Sequence, residues 1–225
     1  MTEALLFDLD GTLIDSMPLH HEAWRLWFQD QGLPFNEEGF FAATAGRTNA
    51  EILAGLFPGR DEATRWQMAE DKESRYRELA ATRLTLINGA LPLLAQARSR
   101  GLKLAICTAS PPGNIEVAFR RFGLGELVDT VTSPADGLRG KPHPDIFLEA
   151  ARRLGADPAR CLVFEDAPLG IEAAQRAGMR AYALTTSLPA AAFEPYPNLV
   201  GVAADLTRFD LDPHLDTFSS ETRHA

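Results

Sequence analysis

The sequence predicts an α/β protein: a parallel sheet with helices on both faces, interrupted by an inserted all-helical domain. Three observations carry this expectation. From about Leu91 onward, short apolar runs alternate with helical patterns, the order that builds a parallel sheet. The early apolar run Ala4 to Phe7 belongs to the same sheet. Between Asp15 and about Asn88 the alternation stops, and helical spacing with Trp24, Trp27, Phe28, Phe40, Phe41 and Trp66 replaces it. Residues 1–15 and 88–225 are therefore expected to form the core domain, and residues 16–87 the helical insertion.

Ala4 to Phe7 reads as a short buried strand, after which Gly11 lets the backbone turn where a Cβ would hinder it. Pro18 and Gly32 bracket the first helix of the insertion. Glu62 to Ala81 reads as a long helix with its charges on one face. Leu91 to Arg100 reads as a helix ended by Gly101, Leu102 to Cys107 as a continuous apolar strand, Asn114 to Phe122 as a helix stopped by Gly123, and Val128 to Val131 as a strand. Pro144 and Gly155 bracket the helix Asp145 to Leu154, the usual asymmetry of helix punctuation. Cys161 to Phe164, Ala181 to Leu184 and Leu199 to Ala203 read as further strands, with the helix Leu169 to Ala177 closed by Gly178 between the first two. The polar tail Thr217 to Ala225 is expected to fray.

At 225 residues the chain can bury one full core and a modest insertion without staples. Its net charge of −9 argues against a surface for phosphate backbones or anionic bilayers, so neither nucleic acid nor a membrane is an expected partner. Cys107 and Cys161 fall inside apolar runs and read as small buried hydrophobes rather than a disulfide, and without His or Cys neighbours they make no zinc site. No tripartite leader precedes Asp8 and no apolar run approaches bilayer length, so a cytoplasmic, monomeric protein is the expectation.

The stretch Phe7-Asp8-Leu9-Asp10-Gly11-Thr12 sends two carboxylates to the end of the first strand. Side chains two apart on extended chain point the same way, so Asp8 and Asp10 repel unless a cation or a shared proton offsets them. A divalent metal is the obvious remedy. An Asp-Gly turn alone explains one aspartate but neither the apolar lead nor the second acid. Leu102 to Cys107 ends in Thr108-Ala109-Ser110, which brings a hydroxyl and backbone N–H groups suited to a phosphoryl oxygen. Gly140-Lys141-Pro142-His143-Pro144-Asp145 puts one cation just before a helix, where it could pair with phosphate or offset an aspartate. The strand ending at Phe164 runs straight into Glu165-Asp166, an expensive arrangement unless a cation waits there.

These four segments, in this order, resemble the motifs of the haloacid dehalogenase superfamily: DxDGT, a Thr or Ser ending the second core strand, GKPxPD, and an acidic pair before a glycine-bearing helix. Two departures stand out, Pro111-Pro112-Gly113 after the second motif and Ala167 where the family usually has Ser. A helical cap right after the first motif resembles the subgroup of β-phosphoglucomutase and the small sugar-phosphate phosphatases. An insertion there is placed to cover a site at the carboxyl ends of the strands.

The resemblance implies a Rossmann-like core and a Mg²⁺-dependent phosphatase of small phosphorylated metabolites, sugar or polyol monophosphates among them. In that scheme Asp8 is the nucleophile that becomes an aspartyl phosphate and Asp10 the general acid and base. Asp8, the backbone carbonyl of Asp10 and Asp166 would hold Mg²⁺, with Glu165 a ligand or a supporting acid. Thr108, the N–H of Ala109, Ser110 and Lys141 would hold the phosphoryl oxygens. His20, Trp24, Gly46, Arg47 and Asn49 resemble cap segments that face substrate, although a helical His or Trp is as readily a packing residue. A dehalogenase would not need Asp10 and Asp166, and a receiver-type signalling module spaces its acids differently. A phosphosugar mutase shares every core residue. Its cap should carry added cations for a second phosphate, whereas Asp71 to Glu78 mixes both signs and leaves Arg47 as the main cap-loop cation.

Overall fold

The structure, a computed structural model, describes residues 2–44 and 48–215. In chain order its strands and helices are β1 (Ala4–Phe7), β2 (Ile14–Asp15), α1 (Met17–Asp30), α2 (Glu37–Thr44), α3 (Asn49–Leu56), α4 (Glu62–Arg83), β3 (Thr85–Leu86), α5 (Ala90–Ser99), β4 (Lys103–Cys107), α6 (Pro112–Phe122) and α7 (Leu124–Leu127). They continue with β5 (Thr130–Thr132), α8 (Asp145–Leu154), β6 (Cys161–Glu165), α9 (Pro168–Arg176), β7 (Arg180–Leu184) and β8 (Leu199–Ala203).

Six strands form one parallel sheet in the order β5-β4-β1-β6-β7-β8. This is the expected α/β architecture. Strands buried on both faces need continuous apolar runs, and all four residues of β1 are fully buried. Phe7 pairs with Ile106 on one side and stacks its ring on Phe164, 4.6 Å away, on the other. One face of the sheet packs Leu6, Ala105 and Val163 against Ile146, Phe147 and Ala150 of α8 and Ile171 and Ala174 of α9. A fully buried Leu or Phe contributes about 1.5–3 kcal/mol, so the central strand is pinned from both sides. Cys107 and Cys161 are buried free thiols, each pushed up to about 12 chiefly by burial, and so behave as hydrophobes.

The chain divides into two compact units. The first contains the sheet and comprises Met1–Leu13, Ile87–Ala109 and Glu126–Ala225; the second comprises Ile14–Leu86 and Ser110–Gly125. In the second unit α1 packs on α4 and α4 on α6. Trp24, Trp27, Phe28, Ile52 and Leu53 form its core, with Phe35, Phe40 and Phe57 against them. Arg121 of α6 donates to the carbonyls of Ala81, Thr82 and Leu84, which closes the otherwise unsatisfied end of α4. A two-stranded ribbon of β2 and β3 pairs Ile14 with Leu86, an element too short to announce itself by periodicity. The tail Thr217 to Ala225 lies outside the described residues. Among the described residues no helix is long and apolar enough to cross a membrane.

Candidate active site

Strand order explains why the four sequence motifs meet. β1 continues to β4 on one side of the sheet and is flanked by β6 on the other, so the order reverses beside β1, and in open α/β sheets ligands bind outside the carboxyl ends of the strands at such a point. Asp8 follows β1, Thr108 follows β4, and Glu165 and Asp166 end and follow β6.

Asp8, Glu165 and Asp166 are all buried, and each offers a carboxylate oxygen within 4.8 Å of the others. Lys141 reaches into the group and donates to both Asp8 Oδ1 and Glu165 Oε1. Its ammonium lies 5.5 Å from the centre of the Phe147 ring, and its side chain is only 9% exposed, so it is no solvated loop lysine. The loop before α8 is braced by Arg139, whose guanidinium grips both oxygens of Asp145. Glu165 is anchored at its other oxygen by the backbone N–H groups of Asp166 and Ala167, at 3.0 and 2.9 Å.

The electrostatics follow from burial. Burial pushes Asp8 well above the usual carboxylate range; Lys141 opposes this, while Glu165, Asp166 and Asp10 reinforce it. Asp166 is pushed up to about 7 by burial and by Glu165. Burial alone would lower Lys141, but Asp8 and Glu165 outweigh it and hold the ammonium firmly protonated. Lys141 brings one positive charge to Asp8, Glu165 and Asp166, with Asp10 close by, so the ammonium alone does not balance these acids and an added cation would favour their ionised forms. All the donors are oxygens, the set preferred by hard cations. The residues therefore fit a divalent metal, with Asp8 and Asp166 the carboxylates least engaged by cations or backbone donors.

Gly11 adopts φ +74°, and a Cβ there would stand 2.1 Å from Asp166 Oδ2, so only glycine lets the turn after Asp10 lie against that carboxylate. Asp10 is half-buried in this turn. Thr108 is buried, and its N–H donates to Thr132 O at 3.0 Å, Ala109 is exposed and Ser110 is half-buried. His143 is exposed.

The second unit holds its own buried polar group. Lys72 and Glu73, both buried on α4, bond each other at 2.9 Å. Lys72 Nζ also donates to His20 Nδ1 at 2.7 Å, and His20 stacks on Tyr76 with centroids 3.8 Å apart. Glu73 accepts from Asn49 at 2.5 Å and from Asn114 at 2.7 Å. The charges that the sequence places on one face of this helix thus include two that are buried, Lys72 and Glu73, which α1 and α6 cover with polar partners. Trp24 packs edge-on to Trp27 and Phe40 in the aromatic core. Gly46 and Arg47 lie outside the described residues. Sequence reasoning missed Lys72 and Glu73, and it also missed Ser187, whose hydroxyl donates to Asp166 Oδ2.

An acidic cluster beside a lysine at the switch point of a parallel sheet is an arrangement that could hold a divalent cation and a phosphoryl group, as an enzyme of phosphoryl chemistry requires. The chain belongs to the haloacid dehalogenase-like hydrolases, whose family model matches residues 2–178. It is 35% identical over 185 residues to hexitol phosphatase A of Escherichia coli (strain K12), covering 81% of this chain and 82% of the relative. It is 30% identical over 195 residues to the β-phosphoglucomutase of Bacillus subtilis (strain 168), covering 83% and 85%. Among solved structures, a HAD hydrolase, family IA, variant 3, from Entamoeba histolytica matches with a TM-score of 0.87 at 27% identity, over 95% of this chain and 97% of that one.

Proposed function

We propose that this chain is a Mg²⁺-dependent phosphatase of small phosphorylated metabolites, sugar or polyol monophosphates, working through an aspartyl phosphate on Asp8. The observation that carries it is the buried Asp8 carboxylate at the carboxyl end of the central strand, held by Lys141 beside Glu165 and Asp166. The likeness to hexitol phosphatase A supports the substrate class.

Lys141 favours the ionised Asp8 that a nucleophile must be. A carboxylate oxygen of Asp8 forms a bond to phosphorus as the bond from phosphorus to the substrate oxygen breaks, and Asp10 gives that oxygen a proton. Asp10 then takes a proton from water, whose oxygen attacks the same phosphorus and releases Asp8 and inorganic phosphate. Thr108, the N–H of Ala109, Ser110 and Lys141 hold the phosphoryl oxygens. Asp8, the carbonyl of Asp10 and Asp166 would hold Mg²⁺, which when bound would supply positive charge to the phosphoryl oxygens. Glu165, engaged at both oxygens, serves to hold Lys141.

A mutase is the second reading, favoured by the likeness to β-phosphoglucomutase. One experiment separates them. Purified protein and Mg²⁺ are given a panel of hexose, pentose and polyol monophosphates, and released phosphate and isomerised sugar phosphate are measured separately with catalytic β-glucose 1,6-bisphosphate present. Phosphate release, abolished by EDTA and by Asp8→Asn, is the expected result. Conversion of β-glucose 1-phosphate to glucose 6-phosphate with little free phosphate would replace the phosphatase by the mutase.

A further inference from the structure

We infer that Thr186 and Ser187, in the loop after β7, are positioning residues that fix the Asp10-Gly11 turn and the Asp166 carboxylate to one rigid support and so set the metal affinity of the site. The inference rests on the metal site proposed above.

Thr186 Oγ1 donates to the carbonyl of Gly11 at 2.5 Å, and the next residue's hydroxyl, Ser187 Oγ, donates to Asp166 Oδ2. The other oxygen of Asp166 accepts from Thr12 Oγ1 at 3.3 Å. The loop has a firm root: Thr185 N–H donates to Ala203 O of β8 at 2.8 Å. Two separate chain segments, the turn after β1 and the loop after β7, thereby converge on the Asp166 carboxylate. The approach is tight, since a Cβ on Gly11 would lie 2.1 Å from Asp166 Oδ2 and 3.0 Å from Ser187 Oγ.

The chemistry of the donors differs across the site. Asp8 and Glu165 are held by an ammonium, which spends part of their charge. Asp166 is held by two hydroxyls. A neutral O–H fixes the side chain's orientation without bringing a positive charge that competes with a cation, and each carboxylate oxygen keeps a lone pair for one. Groups that orient a metal-binding side chain without touching the metal typically govern affinity by about 10–100-fold when removed. Thr186 acts on the turn instead: by holding Gly11 O it anchors the Gly11–Thr12 peptide, one unit past the Asp10 carbonyl that is the assigned backbone ligand. Two adjacent hydroxyls on one loop thus set both the side-chain and the backbone oxygens of the proposed site.

Calorimetric titration with Mg²⁺ alone, without substrate, tests this on the parent chain, Ser187→Ala, Ser187→Thr and Asp166→Ala. Ser187→Ala is expected to weaken Mg²⁺ binding by about 10-fold or more, and Ser187→Thr to return it to near the parent value. In turnover assays, Ser187→Ala should raise the Mg²⁺ concentration for half-maximal rate while the rate at saturating Mg²⁺ stays close to the parent's. A merely structural hydroxyl would instead lower the metal-free melting temperature and leave Mg²⁺ affinity alone. Weakened binding in Asp166→Ala but parent-like binding in Ser187→Ala would overturn the role of Ser187 and leave the metal site standing. Parent-like binding in Asp166→Ala would overturn the metal site itself. Should Ser187→Ala fail to fold, Thr186→Val carries the test: weakened Mg²⁺ binding supports the shared support, and unchanged binding overturns it.

Discussion

Lys141 Nζ donates to Asp8 Oδ1 although 133 residues of sequence separate the two. The same ammonium bonds Glu165, so one cation sits between two buried carboxylates. Removing one partner of a buried ion pair typically costs about 3–5 kcal/mol, because the remaining charge is left in a poor medium. Lys141→Met is therefore expected to lose stability on that scale in urea denaturation with a chelator present, and to lose phosphate release with it. An unchanged unfolding midpoint would mean that Lys141 does not hold these acids together in solution.

Gly11→Ala tests how closely the turn fits the acid beside it. The left-handed φ of +74° strains any residue with a Cβ, and here the Cβ would also collide with Asp166 Oδ2. Strain of this type costs on the order of 1–3 kcal/mol. The variant is expected to melt lower and to bind Mg²⁺ more weakly, since Asp166 must move. A lower melting temperature with parent-like Mg²⁺ affinity would show that the collision is relieved without displacing the carboxylate.

Gly170→Ala should reverse a general rule. In a helix Ala is favoured over Gly by about 1 kcal/mol, yet a Cβ at Gly170 of α9 would fall 1.9 Å from Glu165 Oε1, the oxygen that holds Lys141. The collision outweighs the propensity. Thermal denaturation is expected to show a destabilised variant with impaired turnover, and a stabilised one would mean that Glu165 does not lie over the start of α9.

The strands and the four motifs were legible because doubly buried strands must be continuous apolar runs and because chemistry gathers where such runs end. Cys161 to Phe164 followed by Glu165-Asp166 is the plainest case, and the helix Asp145–Leu154 has the bounds its Pro and Gly predict. The β2–β3 ribbon was not legible, since two residues carry no period. Thr186 and Ser187 were hidden for another reason: two hydroxyls in a polar loop mean nothing until the fold brings Gly11 and Asp166 to them. Lys72 and Glu73 were hidden because helical periodicity assigns a charged residue to solvent unless something else is known. Their burial is decided by His20, Asn49 and Asn114 on other helices, which local sequence does not reveal.

That buried pair gives the chain a pH dependence outside the acid cluster of the first unit. Burial by itself pushes the Glu73 carboxyl up, but Lys72, His20 and the Asn114 amide outweigh it and hold the group below its ordinary value of 4.5. A carboxyl with a depressed value in the folded state stabilises the fold fully above the unfolded value. As pH falls from about 4.5 through the lower folded value, the unfolded chain binds the proton first and the contribution is lost. Glu73→Gln removes that contribution at every pH and leaves Lys72 without its carboxylate, so at neutral pH it should lose about 3 kcal/mol, toward the lower end for a broken buried pair because the amide oxygen still accepts a hydrogen bond. The gap between parent and variant, followed by urea denaturation from pH 7 down to about pH 3, should therefore narrow as the acid limb is descended. A gap that stays constant through that range would mean that Glu73 is already protonated in the folded protein and that Lys72 is not paired with a charge.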